Sequence, residues 1–319
     1  MNNIRMNDGL MNSITGKKRE IDRFRPFPSA VVRKLDEQFT LEWTYNSNAI
    51  EGNTLSLQET ELVINRGLTV GGKSLAEHFE AINHKKAITQ LKNYIQNKQD
   101  ISIDLILNIH ETIFKNIDET EAGKFRDHNV RIMGAVHLPP DAGKIPRLMD
   151  ELIEWYYQHL NALSVPELAA AIHYKTVHIH PFMDGNGRTA RILMNLVLMK
   201  NGFPPAVIMN VDRKKYYRVL KEADMGKYDG FTDFIGKSVE RSLIIYLNAL
   251  APADFKKSEK QGYITLKEAT RYCDYSQEYL SFLARQGRLS AVKFNRNWMT
   301  TKEAVEEYVR TMTGEGGKT

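Results

Sequence analysis

The sequence predicts a mainly α-helical protein, and three observations support that prediction. Between Phe27 and Leu250 most segments space their apolar residues three and four apart, and alternating spacing is rare. These segments have ordinary helix lengths and end on Gly, Asn or a Pro-containing turn. With 42% hydrophobic and 26% charged residues, the 319-residue chain has the composition of a globular protein. Helices are predicted around 62–66, 76–95, 105–113, 148–160 and 166–178.

One stretch departs from helical spacing, residues 129–146. Five positions alternate there, and they are followed by paired prolines and an Asp-Ala-Gly turn: Val130, Ile132, Gly134, Val136 and Leu138. Alternation bounded by turn residues is typical of extended chain. We therefore predict a short β-hairpin or an extended flap that protrudes from the helices.

The chain is predicted to have two domains joined by a linker. The predicted parts are an N-terminal helical region (1–95), a helical core (96–250), a charged linker (251–261), a small domain (262–311) and a disordered tail (312–319). In the small domain, Thr265 and Ser276 each precede a helix start, and residues 292–298 suggest a hairpin. Thr300 or Thr301 is expected to cap the last helix.

Charge and composition exclude several classes of protein. The chain has 44 Lys+Arg and 39 Asp+Glu, a formal net charge of +5, which is weak evidence for a nucleic-acid partner. Cys273 is the single cysteine, so no intrachain disulfide is expected. No apolar run reaches membrane-spanning length, and the N-terminus lacks the apolar segment of a signal peptide. We expect a cytoplasmic protein with no membrane partner.

Residues 67–74 match the G-x-x-x-x-G-K-S phosphate-loop pattern, but the context does not fit. That pattern needs a buried strand before it, whereas the preceding ten residues are polar and have helical spacing. We predict a helix C-cap followed by a glycine-rich turn.

The residues best suited to catalysis and binding lie close together at 178–191, in the run HIHPFMDGNGRTAR. Gly185-Asn186-Gly187 precedes a helix, so free amides and the helix dipole predict an anion site there. Arg188 and Arg191, three apart, can bind separate phosphate oxygens. Asp184 can hold a divalent cation, and His180 can act as a base near neutral pH.

Other interpretations of these residues remain. A histidine at a helix end is usually structural, and a glycine-rich turn is usually only a turn. Metal binding by His173, His178 and His180 is a further alternative, although their spacing does not place all three on one helical face.

Residues 180–191 match every fixed position of H-x-F-x-D/E-G-N-G-R-x-x-R, the signature of the Fic (filamentation induced by cAMP) family. Residues 47–53, SNAIEGN, resemble that family's S/T-x-x-x-E-G/N inhibitory motif. The resemblance covers about residues 24–250. It implies a Fic-type helical bundle with a flap, and a protein adenylyltransferase that uses ATP and Mg²⁺.

The resemblance also implies roles for individual residues. His180 would deprotonate a Tyr, Thr or Ser hydroxyl of a target protein docked along flap 129–146, and Asp184 would hold Mg²⁺. The anion hole would comprise Gly185, Asn186 and Gly187. Arg188 and Arg191 would bind the β- and γ-phosphates, and Tyr216 or Tyr217 would line the adenine pocket. Gly187, where a phosphorylating relative has Lys, favours nucleotidyl transfer.

Ser47 and Glu51 would regulate the site, because Glu51 could pair with Arg191 and exclude productive ATP. In some relatives the same glutamate supports removal of AMP, so a de-AMPylating hydrolase stays an alternative. Some relatives have an Asn near the adenine base at the position where this chain has Ala223-Asp224. The nucleotide pocket of this chain therefore departs from theirs.

Residues 263–309 resemble the small winged helix-turn-helix domain of excisionase and MerR-type proteins. The basic residues of 279–302 are Arg285, Arg288, Lys293, Arg296 and Lys302, and no acidic residue lies among them. Duplex DNA could therefore bind through 276–302, with Gln277 and Tyr279 in the major groove. Protein docking or self-association is the alternative, and a DNA-binding regulator with the core as a nucleotide sensor is the second functional hypothesis. A homo-oligomer is a further possible assembly of this chain.

Overall fold

The computed structural model of the protein describes residues 5–132, 137–250, 263–285, 288–294 and 297–313. The chain divides into two units, Met1–Leu243 and Ile244–Thr319, so the boundary lies inside a helix that continues to Leu250. The predicted linker, residues 251–261, lies outside the described residues, as do 314–319 of the predicted tail. Met312 and Thr313 are helical, so the tail prediction began two residues too early.

The first unit is built from helices, in agreement with the predicted fold class. In chain order they are α1 (Asp8–Arg23), α2 (Ser29–Glu51), α3 (Leu57–Arg66), α4 (Leu75–Gln96), α5 (Ile103–Phe114), α6 (Ile145–His159), α7 (Val165–Ile179), α8 (Asn186–Lys200), α9 (Arg213–Asp224) and α10 (Asp229–Leu250). Short 3₁₀ turns, Ala142–Lys144 and Asn210–Asp212, precede α6 and α9. None of the described helices has the length and apolarity needed to cross a bilayer.

Local sequence explains where many of these helices begin and end. Ser56, Ser74 and Ser164 each form a capping box with a glutamate three residues on, which satisfies two otherwise unpaired amides per helix start. Gly52 and Gly67 end α2 and α3 in the left-handed conformation that glycine adopts without strain. Gly67 therefore ends a helix, as predicted for residues 67–74 in place of a phosphate loop, and Ser74 precedes the next helix.

Helix α8 lies at the centre of the first unit and is buried from Arg188 to Leu198. It packs against α7, α4, α5 and α2, so apolar side chains are needed all around it. Asn195 is a buried polar exception, and its amide satisfies the backbone N–H and C=O of Ala206 at 2.7 and 3.0 Å. The N-terminal end of α8 is thereby held in a fixed position within the helical bundle.

The flap is extended rather than a β-hairpin in its described part, residues 129–132 and 137–141, which contains no strand. Residues 133–136 lie outside the described range. Pro139 and Pro140 have no N–H for a strand ladder. Arg126 instead satisfies flap carbonyls with its side chain, donating from Nη1 to His128 O at 2.8 Å and from Nη2 to Pro140 O at 2.5 Å. The predicted end at Pro146 was also late, because α6 begins at Ile145.

The second unit combines short helices with a small antiparallel sheet. Its described elements are β1 (Tyr263–Thr265), α11 (Leu266–Ala269), α12 (Gln277–Arg285), β2 (Ala291–Phe294), β3 (Asn297–Thr301) and α13 (Lys302–Thr313). The strand order is β1-β3-β2, with Lys293 opposite Trp298 and Thr265 opposite Met299. The hairpin prediction is confirmed, but β1 was not predicted.

Capping in this unit follows the sequence closely. Thr265 forms a capping box with Glu268, and Thr301 Oγ1 accepts from Ala304 N at 3.1 Å, so Thr301 rather than Thr300 caps α13. The unit has its own core, formed by Leu266, Ala269, Leu280, Leu283, Ala284, Leu289, Val305 and Tyr308.

Candidate active site

The loop between α7 and α8 has a tightly specified backbone. His180 ends α7 with a positive φ of 53°, and Gly185 precedes α8 with φ 78°. A Cβ on Gly185 would lie 2.3 Å from Phe114 Cε2, so no larger residue fits there. The side chain of Asn186 accepts from Phe182 N and donates to Phe182 O, both at 2.9 Å. Asn186 thus closes the loop with its side chain and leaves its backbone N–H at the helix start.

The N-terminal end of α8 presents free backbone donors. The first helical bond runs from Thr189 N to Gly185 O at 2.9 Å. The amides of Asn186, Gly187 and Arg188 belong to the first turn, where no intrahelical acceptor exists, and the helix dipole adds positive potential. This is the geometry of an anion-binding helix start.

Both arginines of the signature are buried, at 2% and 1% exposure for Arg188 and Arg191. Arg188 Nη1 donates to Glu80 Oε1 at 3.0 Å, whereas Arg191 donates from Nε to Ser47 Oγ and from Nη2 to Ser47 O, both at 2.9 Å. Arg188 Nε and Arg191 Nη1 have no hydrogen-bond partner among the described residues. Unsatisfied buried donors are costly, and a ligand with several acceptor oxygens would satisfy both.

Glu51, the last residue of α2, reaches into this position. Its Oε1 accepts from Arg191 Nη2 at 2.6 Å. The same oxygen would lie 2.3 Å from a Cβ on Gly187, so the carboxylate sits directly against the backbone of the first turn of α8. Burial lowers the pKa of Arg191, but the charge and hydrogen bond of Glu51, together with Tyr216 and Tyr217, raise it, and the net shift is upward. Glu51 thus occupies part of the anion site with its own negative charge.

The imidazole of His180 lies at the edge of this region. Burial lowers the pKa of His180 to about 4, with the positive charge of Arg126 acting in the same direction, while a hydrogen bond with Val177 O opposes the shift. The ring is therefore neutral at pH 7 and can accept a proton. Arg126 Nε also donates to His180 O at 2.8 Å, so one buried side chain positions both the flap and the end of α7.

Asp184 differs from the arginines because its side chain is 75% exposed. Its Oδ1 accepts from Gly185 N at 2.5 Å, and its Oδ2 lies 3.7 Å from Arg188 Nη2. At least one carboxylate oxygen therefore faces solvent beside the anion site. An exposed carboxylate oxygen next to phosphate-binding groups suits Mg²⁺, which usually takes one or two carboxylates and several waters.

The two tyrosines of α9 differ in accessibility. Tyr216 is 2% exposed, and its hydroxyl lies 3.1 Å from His173 Nε2, so it belongs to the core. Tyr217 is 40% exposed, and burial of part of its ring, together with the Glu51 charge, raises its pKa. Tyr217 is therefore the tyrosine that can contact a ligand.

The structure brings together most of the residues predicted at the site and adds three that the sequence did not indicate. The additions are Glu80, Arg126 and Arg213, whose Nε donates to Ile50 O at 2.7 Å at the end of α2. No local pattern identifies them, since each pairs with a residue distant in sequence. The alternative metal set of His173, His178 and His180 is wrong for the described residues. Among the described residues, the side chains close enough together to hold a metal ion are instead His137, His178 and Asp224.

Similar proteins were found for both the sequence and the fold. The profile of the Fic/DOC family matches residues 100–198. The chain is 38% identical over 220 residues to a protein adenylyltransferase Fic from Drosophila erecta, covering 69% of this chain and 44% of that protein. A structure of Fic-1 from C. elegans superposes with a TM-score of 0.70 at 32% identity, covering 78% and 72% of the two chains. A Fic domain containing signalling protein from Bacteroides thetaiotaomicron has a TM-score of 0.70 at 28% identity, covering 76% and 97%.

The fold and the site are those of a helical bundle in which a helix start with unpaired buried donors lies beside an imidazole, an arrangement suited to binding a phosphate next to a base. The signature at 180–191 and the similar proteins then show that the chain belongs to the Fic family. The chain spans about half the length of the curated relatives it matches.

Proposed function

We propose that this protein transfers AMP from ATP to a hydroxyl group of a target protein. The observation that supports this most directly is the pair of unsatisfied buried guanidinium nitrogens, Arg188 Nε and Arg191 Nη1, at the N-terminal end of α8. A triphosphate supplies acceptor oxygens for both nitrogens and for the free amides of the first turn. Relatives named protein adenylyltransferase are consistent with this assignment.

The proposed chemistry is a displacement at the α-phosphorus. His180 takes the proton of a Tyr, Thr or Ser hydroxyl, whose oxygen forms a bond to that phosphorus. The bond from the α-phosphorus to the oxygen that leads to the β-phosphate breaks, and pyrophosphate leaves. Arg188 binds the β-phosphate side and Arg191 the γ-phosphate, so that charge on the leaving group is stabilised by groups already in position.

Asp184 is the proposed ligand of Mg²⁺, because its carboxylate is exposed beside Arg188. The ion would neutralise phosphate charge during transfer. The residues of this chain orient the substrates: amides of Gly187 and Arg188 face the anion, and Tyr217 is the accessible aromatic for the adenine. Tyr216 supports Tyr217 from the core.

We further propose that Glu51 inhibits this reaction. With its carboxylate 2.6 Å from Arg191 and against Gly187, it occupies the space and the charge that the γ-phosphate requires. Because Glu51 is part of the same chain, it competes at high effective concentration. Ser47 assists by holding the Arg191 guanidinium through Oγ and its backbone carbonyl.

The target protein is proposed to dock along the flap. Extended backbone can pair with an incoming segment as an added strand, and this demands little side-chain specificity. The flap is held at its ends, where Asn129 Oδ1 accepts from Ala142 N at 2.8 Å, and near its centre, where His137 Nε2 donates to His178 O at 2.8 Å. A target hydroxyl on such a strand would be positioned near His180.

The decisive experiment incubates the full chain and a cell lysate with ATP radiolabelled at the α-phosphate. Glu51→Gly should label itself or a target, and Glu51→Gly combined with His180→Ala should label nothing. ATP radiolabelled at the γ-phosphate is the control, because AMP transfer leaves the protein free of that label. Equal α-label on both variants would contradict the proposal.

Removal of AMP is an alternative outcome at the same site, favoured by the position of Glu51 beside the first turn of α8. Labelled target from the Glu51→Gly reaction, incubated with wild-type protein and Mg²⁺, tests it. Release of labelled AMP by wild type but not by Glu51→Gly would show hydrolysis.

The second unit is proposed to bind duplex DNA. Tyr279, on α12, is 40% exposed, and a two-stranded wing follows. Lys302 contributes less to DNA binding than its charge suggests, because its Nζ lies 3.6 Å from Glu306 Oε1. The side chains of Lys293 and Arg296 lie outside the described residues. Binding of the full chain to duplex DNA, measured between 50 and 200 mM salt with and without Tyr279→Ala, tests this role.

A further inference from the structure

Two imidazole rings, one from the flap and one from α7, lie face to face beside the candidate active site. The ring centroids of His137 and His178 are 3.9 Å apart, and the ring planes differ by 23°. His137 Nε2 also donates to His178 O at 2.8 Å. The flap is therefore tied to one residue of α7 twice, through a ring contact and through a backbone carbonyl. No step of the proposed transfer reaction uses either imidazole.

The stacked arrangement is that of a packing contact rather than a metal site. A ring nitrogen binds a metal through a lone pair in the plane of its ring, so two nearly parallel rings cannot direct their lone pairs at one ion. His178 Nδ1 lies 3.2 Å from Asp224 Oδ1, and a carboxylate accepts, so this nitrogen carries a proton. The edge of the His178 ring is thus held by Asp224, and its face is left to His137.

Tyr174 fixes the carboxylate that holds His178. Its hydroxyl lies 3.2 Å from Asp224 Oδ1 and 3.2 Å from Ala223 O, at the end of α9. Burial and the charge of Asp224 raise the pKa of Tyr174, so the hydroxyl keeps its proton and can donate. The Tyr174 ring is 2% exposed and packs edge-on against Tyr228, with centroids 5.4 Å apart. The orientation of the His178 ring therefore depends on groups anchored in the core.

The stacked pair lies next to the base. His178 precedes His180 by two residues at the end of α7. Burial is the main cause of the lowered pKa of His180, and a charge on His137 lowers it further, which places the flap imidazole near that ring. From the other side, Arg126 donates both to His180 O and to Pro140 O. The flap is thus tied to the end of α7 at residue 137 and again at residue 140.

We propose that His178 is a positioning residue that sets the place of the flap relative to the base. Held by Asp224 and Tyr174, its ring presents a fixed face on which His137 stacks. A target segment that pairs with the flap then brings its hydroxyl to His180 in one register, because both contacts oppose sliding of the flap along α7. This role rests on the proposed transfer to a docked target protein, whereas the contact itself can be tested without any target.

The contact is tested by NMR on the full chain. In wild type, the ring protons of His137 should resonate upfield of those of an exposed histidine, and its nitrogen shifts should show the proton on Nε2. The order parameter of the Leu138 amide should be about 0.85, and it should fall below about 0.6 in His137→Ala. His178→Ala should cause a smaller fall because its carbonyl remains. His178→Phe, which keeps a ring face, should restore part of the loss.

The role in transfer is measured in a Glu51→Gly background, with ATP radiolabelled at the α-phosphate and increasing amounts of cell lysate. In His137→Ala, the lysate concentration for half-maximal labelling of lysate proteins should rise about tenfold, since one hydrogen bond and one ring stack are lost. It should rise less in His178→Ala. The ATP concentration for half-maximal labelling should change by less than about twofold, because the phosphate-binding groups of α8 are unaltered.

His159→Ala is the matched control. The His159 ring stacks on Trp155 with centroids 4.3 Å apart, and its Nδ1 donates to Trp155 O at 2.8 Å, so this variant loses the same two kinds of contact within α6. It should match the parent protein in both measurements. A rigid Leu138 in His137→Ala, or a lysate dependence no different from that of His159→Ala, would overturn the proposal. Absence of label from Glu51→Gly itself would contradict the proposed transfer, and Leu138 alone would then decide whether His178 fixes the flap.

Discussion

The Glu51 carboxylate and the Arg191 guanidinium are 2.6 Å apart, with Arg191 fully buried and the Glu51 side chain 27% exposed. Ser47 Oγ, Ser47 O and Glu51 Oε1 accept hydrogen bonds from the guanidinium, and the backbone of Gly187 lies beside it. The end of α2 therefore fills the place where α8 would bind an anion. Because the Glu51 side chain is partly exposed and Arg191 is enclosed, we expect the glutamate to be the partner that moves when a ligand binds.

Gly187→Ala tests this contact without replacing either charged residue. The new Cβ would lie 2.3 Å from Glu51 Oε1, so the carboxylate must leave Arg191. We expect a loss of about 1–3 kcal/mol in the free energy of unfolding, the usual worth of a hydrogen bond to a charged group. In a Glu51→Gly background the same substitution should cost less, because the Cβ then meets only Arg191 Nη1 at 3.0 Å and Ala is the better helix residue by about 0.5–1 kcal/mol. Denaturant unfolding of the four proteins gives the coupling, and additive effects would contradict the contact.

Ser47→Ala removes a hydrogen bond that supports Arg191 and leaves the charges of Arg191 and Glu51 in place. The substitution leaves Arg191 Nε buried without its partner at 2.9 Å, at a cost of about 1–3 kcal/mol in stability. It should also raise AMP transfer, but less than Glu51→Gly does, because the carboxylate stays. Ser242→Ala is the control, since Ser242 is similarly buried and its hydrogen bond among the described residues is to Ser238 O in its own helix. Similar changes in the two serine variants would show that Ser47 has no special role.

The sequence predicted the helices well because their signals are local. The glycine after α3 and the capping serines act within four residues of the elements that they define. For the flap, the sequence left a β-hairpin and an extended segment open, and a non-local contact favours the extended form: Arg126, outside the alternating stretch, satisfies Pro140 O in place of a partner strand. Strand β1 is three residues long and exists through its pairing with β3, which lies more than thirty residues on.

The prediction of the site shows the same division between local signals and contacts between distant segments. His180, Asp184 and the two arginines lie within one motif, so spacing alone identified them. Glu80 binds Arg188 across 108 residues of sequence, and no pattern in either segment indicates the pair. The cluster of His137, His178 and Asp224 likewise depends on three distant segments. The spacing of His173, His178 and His180 already argues against those three as a metal set, but it does not indicate the grouping that the structure shows.

The lowered pKa of His180 predicts the pH dependence of the reaction. An NMR titration of the imidazole, assigned with His180→Ala, should give a midpoint of about 4 rather than 6.5. The base is then neutral at all higher pH, and AMP transfer by Glu51→Gly should lose this base only as the pH falls through about 4. Because the folded pKa lies below the unfolded value, the neutral ring contributes stability above pH 6.5 that is lost as the pH falls toward 4. A midpoint near 6.5 would contradict the burial of the ring.

Asp184→Asn tests the proposed Mg²⁺ ligand. The amide keeps an oxygen that can accept from Gly185 N, so the loop should hold its shape while the charge at the 75% exposed position is lost. In a Glu51→Gly background, the Mg²⁺ concentration for half-maximal AMP transfer should rise at least about tenfold, equivalent to about 1.4 kcal/mol of binding. Asp127→Asn is the control, because its side chain is 82% exposed and contacts His128 rather than the anion site. An unchanged Mg²⁺ requirement in Asp184→Asn would place the metal on other groups, whereas a selective shift assigns it to the carboxylate beside Arg188.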